Sequence, residues 1–220
     1  MASSPHILFL FMGASNLARG YSLLTRHISS CFGKNKTEFL NALGPGRGFC
    51  ARGGMFNFTY PPIQDCRILE VAKKKSCDIR AVLITDIGND LMYGVLADTL
   101  IESLDGLIGR ALQWDAEIFL TSIHVNLKKD VSPTMFFILK SFFYPGSSIT
   151  YEEADLFITK VNGYLEEKAR QNERVYLISG MKSFTGMDKI HYSFLKTHSA
   201  WEKIANEICH VLKVPVQKKM

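Results

Sequence analysis

The chain has 220 residues, 47% of them hydrophobic and 21% charged, with a formal net charge of +5. That balance supplies apolar surface for a sizeable core and argues against global disorder. Five scattered cysteines (Cys31, Cys50, Cys66, Cys77 and Cys209), odd in number and without CxxC spacing, argue against a disulfide framework and against a zinc site. Much of the basic excess lies at Lys73, Lys74 and Lys75 and at Lys218 and Lys219, read as a solvated helix end and a tail. No basic stripe interleaves with aromatics, so no nucleic-acid surface is expected.

The first strand is expected at residues 6–12. Its apolar run is too short for a signal peptide or a membrane span and has no basic region before it. It reads as a buried strand, and the expected location is the cytoplasm with no integral membrane segment. Leu17, Tyr21, Leu24, Ile28 and Cys31 then recur at helical spacing. Further strands are expected at 38–43, 80–85, 117–123 and 174–178. Helical patterns separate them, one through Leu100, Leu104, Leu107 and Ala111. Another is opened by a Thr150/Glu153 capping-box pattern and continues through Ala154, Phe157, Val161 and Leu165. A last helix is expected to start from a second capping box, Ser199 with Glu202, and to carry Trp201, Ile204, Ile208 and Leu212.

Near-continuous apolar strands alternating with helices suit a parallel sheet covered on both faces. The expectation is an α/β fold: a three-layer α/β/α sandwich around a doubly wound, five-stranded parallel sheet of flavodoxin-like type, formed as one domain over residues 1–220. In such sheets the site lies at the carboxyl ends of the strands.

Chemistry-bearing residues cluster at those ends. The first strand runs into Gly13-Ala14-Ser15, which brings a hydroxyl to the first turn of a helix, where it is either a nucleophile or only an N-cap. The second ends in Gly44-Pro45-Gly46-Arg47-Gly48, whose glycines let the backbone approach a ligand closely and expose N–H groups, as in a phosphate nest, or form only a flexible connection. No nucleotide-loop pattern accompanies it. The third ends in Asp86-Ile87-Gly88-Asn89-Asp90, and the Asn89 amide is a candidate donor to an oxyanion. After the fifth come Asp188 and His191, spaced so that the carboxylate can hold Nδ1 and leave Nε2 free to take a proton.

These blocks, in this order from Gly13 to His191, resemble the SGNH hydrolases, the GDSL-like esterase/lipase superfamily. The resemblance implies Ser15 as nucleophile, His191 as base and Asp188 as its orienting acid. It implies an oxyanion hole from the N–H groups of Ser15 and Gly46 and the side chain of Asn89. It implies hydrolysis of a small-molecule or lipid ester through an acyl-enzyme, with no cofactor or metal. Gly44 and Gly48 are close rivals to Gly46. Two positions depart from the pattern: Ala14 stands where the family usually has Asp, and Ile87 where it usually has Gly. Asp86 is an extra acid without an assigned role.

Around this set, residues 131–144 are strongly apolar and read as a lid or acyl-binding wall, as a buried helix packed on the sheet, or as a subunit contact. Arg47 and Arg52 flank the glycine loop and could favour an anionic substrate group. His124 is a rival base without a carboxylate near it in sequence. Two other readings stand beside the esterase: a non-catalytic binding protein of the same fold, and a flavodoxin-like phosphate- or nucleotide-binding module.

Overall fold

A computed structural model describes residues 5–54 and 58–218; Lys219 lies outside them. The chain runs β1 (Ile7–Met12), α1 (Ser15–Phe32), β2 (Thr37–Ala42), α2 (Ile68–Lys73), β3 (Ile79–Ile84), α3 (Asn89–Met92) and α4 (Ala97–Leu112). It continues through β4 (Glu117–Thr121), α5 (Leu127–Asp130), α6 (Pro133–Phe143), α7 (Tyr151–Gln171), β5 (Val175–Ile178) and α8 (Thr197–Lys218). The five strands form one parallel sheet in the order β2-β1-β3-β4-β5. The direction of winding reverses between β1 and β3, so a crevice opens there at the carboxyl edge.

The period of two along each strand divides the core between the sheet's faces. Leu8, Leu10, Val82, Ile84, Ile118 and Leu120 face one cluster, packed with α2, α4 and α7. Ile7, Phe9, Phe11, Leu83 and Phe119 face the other, covered by α1 and α8. Those two helices approach closely at one point. A Cβ on Gly20 of α1 would stand 1.7 Å from Nε1 of Trp201 on α8, so only glycine fits there. Trp201 in turn packs edge-on against Tyr192, ring centres 5.8 Å apart.

Two expected boundaries move by more than one residue. β4 stops at Thr121, short of Ile123. The Asn162 side chain from α7 takes over there, accepting from the Ile123 N–H (2.8 Å) and donating to its carbonyl (3.0 Å). These bonds satisfy the Ile123 backbone without a neighbouring strand. α8 begins at Thr197, so Ser199 is not its cap. The chain turns at Ser193–Lys196, and the Lys196 carbonyl accepts the Ala200 N–H at 2.9 Å, which starts the helix earlier. The Thr150/Glu153 capping box of α7 is present in both directions. Lys73 and Lys74 are exposed at the end of α2, whereas Lys75 pairs with Glu38.

Candidate active site

β1 delivers the chain to its turn through Gly13. A Cβ there would lie 2.8 Å from Thr85 Cγ2 and 3.0 Å from the Thr85 carbonyl, so a side chain would push β1 and β3 apart. Ser15 follows as the first residue of α1, and Ala14, not Ser15, occupies the cap position without offering a side-chain bond. A missing cap costs about 1 kcal/mol, and Asp86 supplies a substitute from the end of β3. Its Oδ2 accepts from the N–H groups of Leu17 (2.9 Å) and Ala14 (3.1 Å), while Oδ1 accepts from the Asn16 amide (3.0 Å). Asp86 adopts φ +56, a left-handed backbone that Asp tolerates better than most residues.

Ser15 Oγ lies 2.9 Å from His191 Nε2, and His191 Nδ1 lies 2.7 Å from Asp188 Oδ2. The loop that holds this pair is rigidly bonded. Asp188 Oδ1 accepts the N–H groups of Ile190 and His191, and the His191 carbonyl accepts the Gly186 N–H at 2.7 Å. Half-burial alone would raise the Asp188 carboxyl, but the His191 ring and the two N–H groups outweigh it and hold it below the usual range. Buried Asn16 joins the Ser15 turn to the His191 loop. Its amide donates to the Ile190 carbonyl (3.2 Å) and its oxygen accepts the Tyr192 N–H (2.9 Å), so it grips the backbone on both sides of His191.

Asn89 opens α3 and lines the same cavity as Ser15. Its Nδ2 donates one bond to the Arg47 carbonyl (3.1 Å), and its Oδ1 accepts from the Tyr144 hydroxyl (2.9 Å). The amide orientation is therefore set from both ends, and Nδ2 retains a second hydrogen. The Arg47 carbonyl also ties the glycine loop to Asn89. Gly46 has φ +71 and its carbonyl accepts from the Tyr93 hydroxyl at 2.6 Å. A side chain on Gly44 would meet the Tyr60 ring, and one on Gly48 the Asp90 carboxylate. Buried Asp90 accepts the N–H groups of Phe49 (2.6 Å), Cys50 (2.7 Å) and Ala51 (2.9 Å). Those donors are thus occupied by a protein carboxylate and are not offered to a phosphate.

Neither a family model nor a curated protein sequence matches the chain. Solved structures do. The chain is similar to a member of the lipolytic G-D-S-L family from Veillonella parvula, at 13% identity over 94% of this chain and 98% of that one, with TM-score 0.55. It is similar to the psychrotrophic esterase EstA from a Pseudoalteromonas species, at 12% identity, 94% and 98% coverage and TM-score 0.60. A carbohydrate acetylesterase family member from Sinorhizobium meliloti matches at 11% identity, 94% and 99% coverage and TM-score 0.57. The fold is that of the SGNH hydrolases.

Within this SGNH fold the remaining candidates fall into place or out of it. His124 lines the cavity, but its Nε2 is engaged by the Tyr192 hydroxyl (3.1 Å), and burial depresses its pKa, with Asp86 opposing weakly. No hydrogen bond joins it to Ser15 among the described residues. Arg47 is buried and spent on the loop itself, donating to the carbonyls of Pro61 (3.0 Å) and Leu43 (3.4 Å) beneath the Tyr60 ring. It is a staple of the glycine loop, not a free cation; Arg52 is exposed. Residues 131–144 form no buried helix, since none of the α6 side chains is fully buried. One side of α6 (Phe136, Leu139, Phe143) instead walls a cavity of about 120 Å³ that reaches from Ser15 past Ile87, Leu91 and Ile123 to Ile158. Ile87, which departs from the family pattern, is buried and lines this wall.

Four residues of this site escaped the sequence reading: Asn16, Asp86, Asp90 and Tyr144. Asn16 and Asp90 adjoin recognised residues, and Asp86 was visible only as an acid without a partner. Nothing in the sequence marks Tyr144, which arrives from the far end of α6.

Proposed function

We propose that the protein is a serine hydrolase that cleaves a carboxylic ester through an acyl-enzyme. The observation that carries this is the unbroken hydrogen-bonded line from Ser15 Oγ through both nitrogens of His191 to Asp188. His191 Nε2 takes the Ser15 proton as Oγ attacks the ester carbonyl carbon. The tetrahedral intermediate collapses, the alcohol leaves with that proton, and Ser15 keeps the acyl group. Water, deprotonated by His191, then attacks the acyl-enzyme, releases the acid and returns the proton to Ser15. Asp188 keeps the proton on Nδ1 and stabilises the imidazolium without itself being protonated. The developing oxyanion is held by the N–H of Ser15 at the start of α1, the N–H of Gly46 and the second hydrogen of Asn89 Nδ2.

Support from likeness is of the same kind: one neighbour of this fold is an esterase inhibited by monoethylphosphonate. The apolar cavity beside Ser15 favours an acyl group of some length over a charged one. A fluorophosphonate probe tests the reading. It should label the native protein, fail on Ser15→Ala and react weakly with His191→Ala. Absent labelling, together with no hydrolysis of p-nitrophenyl esters of any chain length, would sink it.

A further inference from the structure

α6 walls the cavity with one side and leaves the other bare. Phe142 is 78% exposed, Phe137 63% and Ile138 54%. The segment that carries Asp188 and His191 is equally bare, with Met187 95%, Phe194 89% and Leu195 90% exposed. The two segments meet at the cavity, where the Phe143 and His191 rings lie 5.9 Å apart and where Ile190 also contributes to the wall. Large apolar side chains grouped at a cavity mouth mark a surface that another phase or molecule covers.

The charge of these segments identifies what covers it. Residues 131–151 contain no Asp or Glu, and residues 175–201 contain only Asp188, which is committed to His191. The same stretches carry Lys140, Lys189 and Lys196, while Lys182 pairs with Asp130 at the end of α5 (2.8 Å) and adds no free charge. Lys140 lies 5.9 Å over the Phe137 ring, so its stem follows the apolar side chains while its charge stays near them. A second copy of this face would set lysines against lysines, a costly juxtaposition. Apolar side chains interleaved with cations fit an anionic lipid surface, where each nearby Lys contributes about 1 kcal/mol.

We propose that α6 and the 187–195 segment dock the protein onto an anionic lipid surface with the cavity mouth turned toward it. Among the described residues no helix is long and apolar enough to cross a membrane, so the contact is interfacial. The docking stands on these side chains alone; that the ester is drawn from the same surface rests on the hydrolase reading above.

The full chain carrying Ser15→Ala, which cannot consume lipid, is co-sedimented with vesicles of phosphatidylcholine alone and of phosphatidylcholine with phosphatidylglycerol. Binding to the anionic vesicles is expected, weakened by salt and reduced about tenfold or more by Ile138→Ser/Phe142→Ser. With Ser15 restored, that double variant should hydrolyse soluble p-nitrophenyl acetate as the native protein does. No binding to anionic vesicles, equal binding to both vesicle types, or equal binding by the double variant would overturn the proposal. So would a dimer in analytical ultracentrifugation that the double variant dissolves, since the face would then be a contact between copies. Vesicle binding without any esterase activity would leave this proposal standing and remove the hydrolase reading instead.

Discussion

Asp86, at the end of β3, accepts the backbone N–H of Leu17 in α1 at 2.9 Å. The bond crosses the crevice where the sheet reverses its winding, so a carboxylate from one strand caps the helix that follows another. Ala14 cannot cap that helix, and Asp86 takes up the vacancy from across the sheet. A carboxylate near a helix start also interacts favourably with the helix dipole. Asp86→Asn retains the left-handed backbone but loses the charge. It should destabilise the protein by about 1–3 kcal/mol and lower kcat about tenfold as Ser15 loses its fixed position. Ala14→Asp should be more harmful in the native background, where two carboxylates compete for the same donors, than in Asp86→Asn. Equal effects of Ala14→Asp in both backgrounds, by denaturant unfolding, would show that the two positions are not coupled.

Asn89 and Tyr144 form a graded pair. Asn89→Ala removes a proposed oxyanion donor and should cut kcat by about 10² to 10³ with little change in KM. Tyr144→Phe removes only the bond that orients the amide, worth about 1 kcal/mol, so a loss of tenfold or less is expected. Combined, the two should cost no more than Asn89→Ala alone, because Tyr144 acts through Asn89. Steady-state kinetics on a soluble ester decides the matter, and an additive double variant would contradict it.

The pH dependence of stability has two expected windows. His124 is depressed by burial, so the folded state resists a proton that the unfolded chain accepts near pH 6.5. Its contribution is complete above that value and shrinks as pH falls below it. Asp188 is held low by its hydrogen bonds, so its contribution is complete above about pH 3.9 and is lost as pH falls through the folded value. His124→Gln should flatten the first decline in Tm while leaving the second, and Asp188→Asn should do the reverse.

Asn162 ends β4 by taking both backbone groups of Ile123. Asn162→Leu keeps the bulk and leaves two part-buried backbone groups without partners. A loss of about 1–3 kcal/mol for each group deprived of solvent as well is the expected scale. Ile123 also lines the cavity, so longer acyl esters should suffer more in KM than acetyl esters. Unchanged chain-length preference would separate Asn162 from the cavity.

The fold was legible because the central strands β1, β3 and β4 are mostly buried apolar runs, set between segments whose apolar residues recur at helical spacing. Order and layers follow from that pattern. The ends of elements were less so, because tertiary groups decide them: the Asn162 amide stops β4, and the turn at Ser193–Lys196 starts α8 before Ser199. At the proposed site, Ser15, Asp188 and His191 stood out because their residue types suit acyl-transfer chemistry. Asp86 and Tyr144 did not, since each acts on a residue dozens of positions away, and Arg47 looked like a substrate ligand because its burial cannot be read from its neighbours. The hydropathy of the α6 stretch suits a cavity wall and a core helix alike, and its place beside the cavity decides between them.

The indole of Trp201, wedged against the bare α-carbon of Gly20 and backed by Tyr192, serves as a shim. It fills the space between the helix that begins with Ser15 and the ring of Tyr192, the residue that follows His191. Under the proposed mechanism, the proton transfer between Ser15 and His191 depends on how tightly the α1–α8 layer is packed. If the chain is the hydrolase proposed above, loosening of that layer should slow turnover before the sheet beneath it is disturbed.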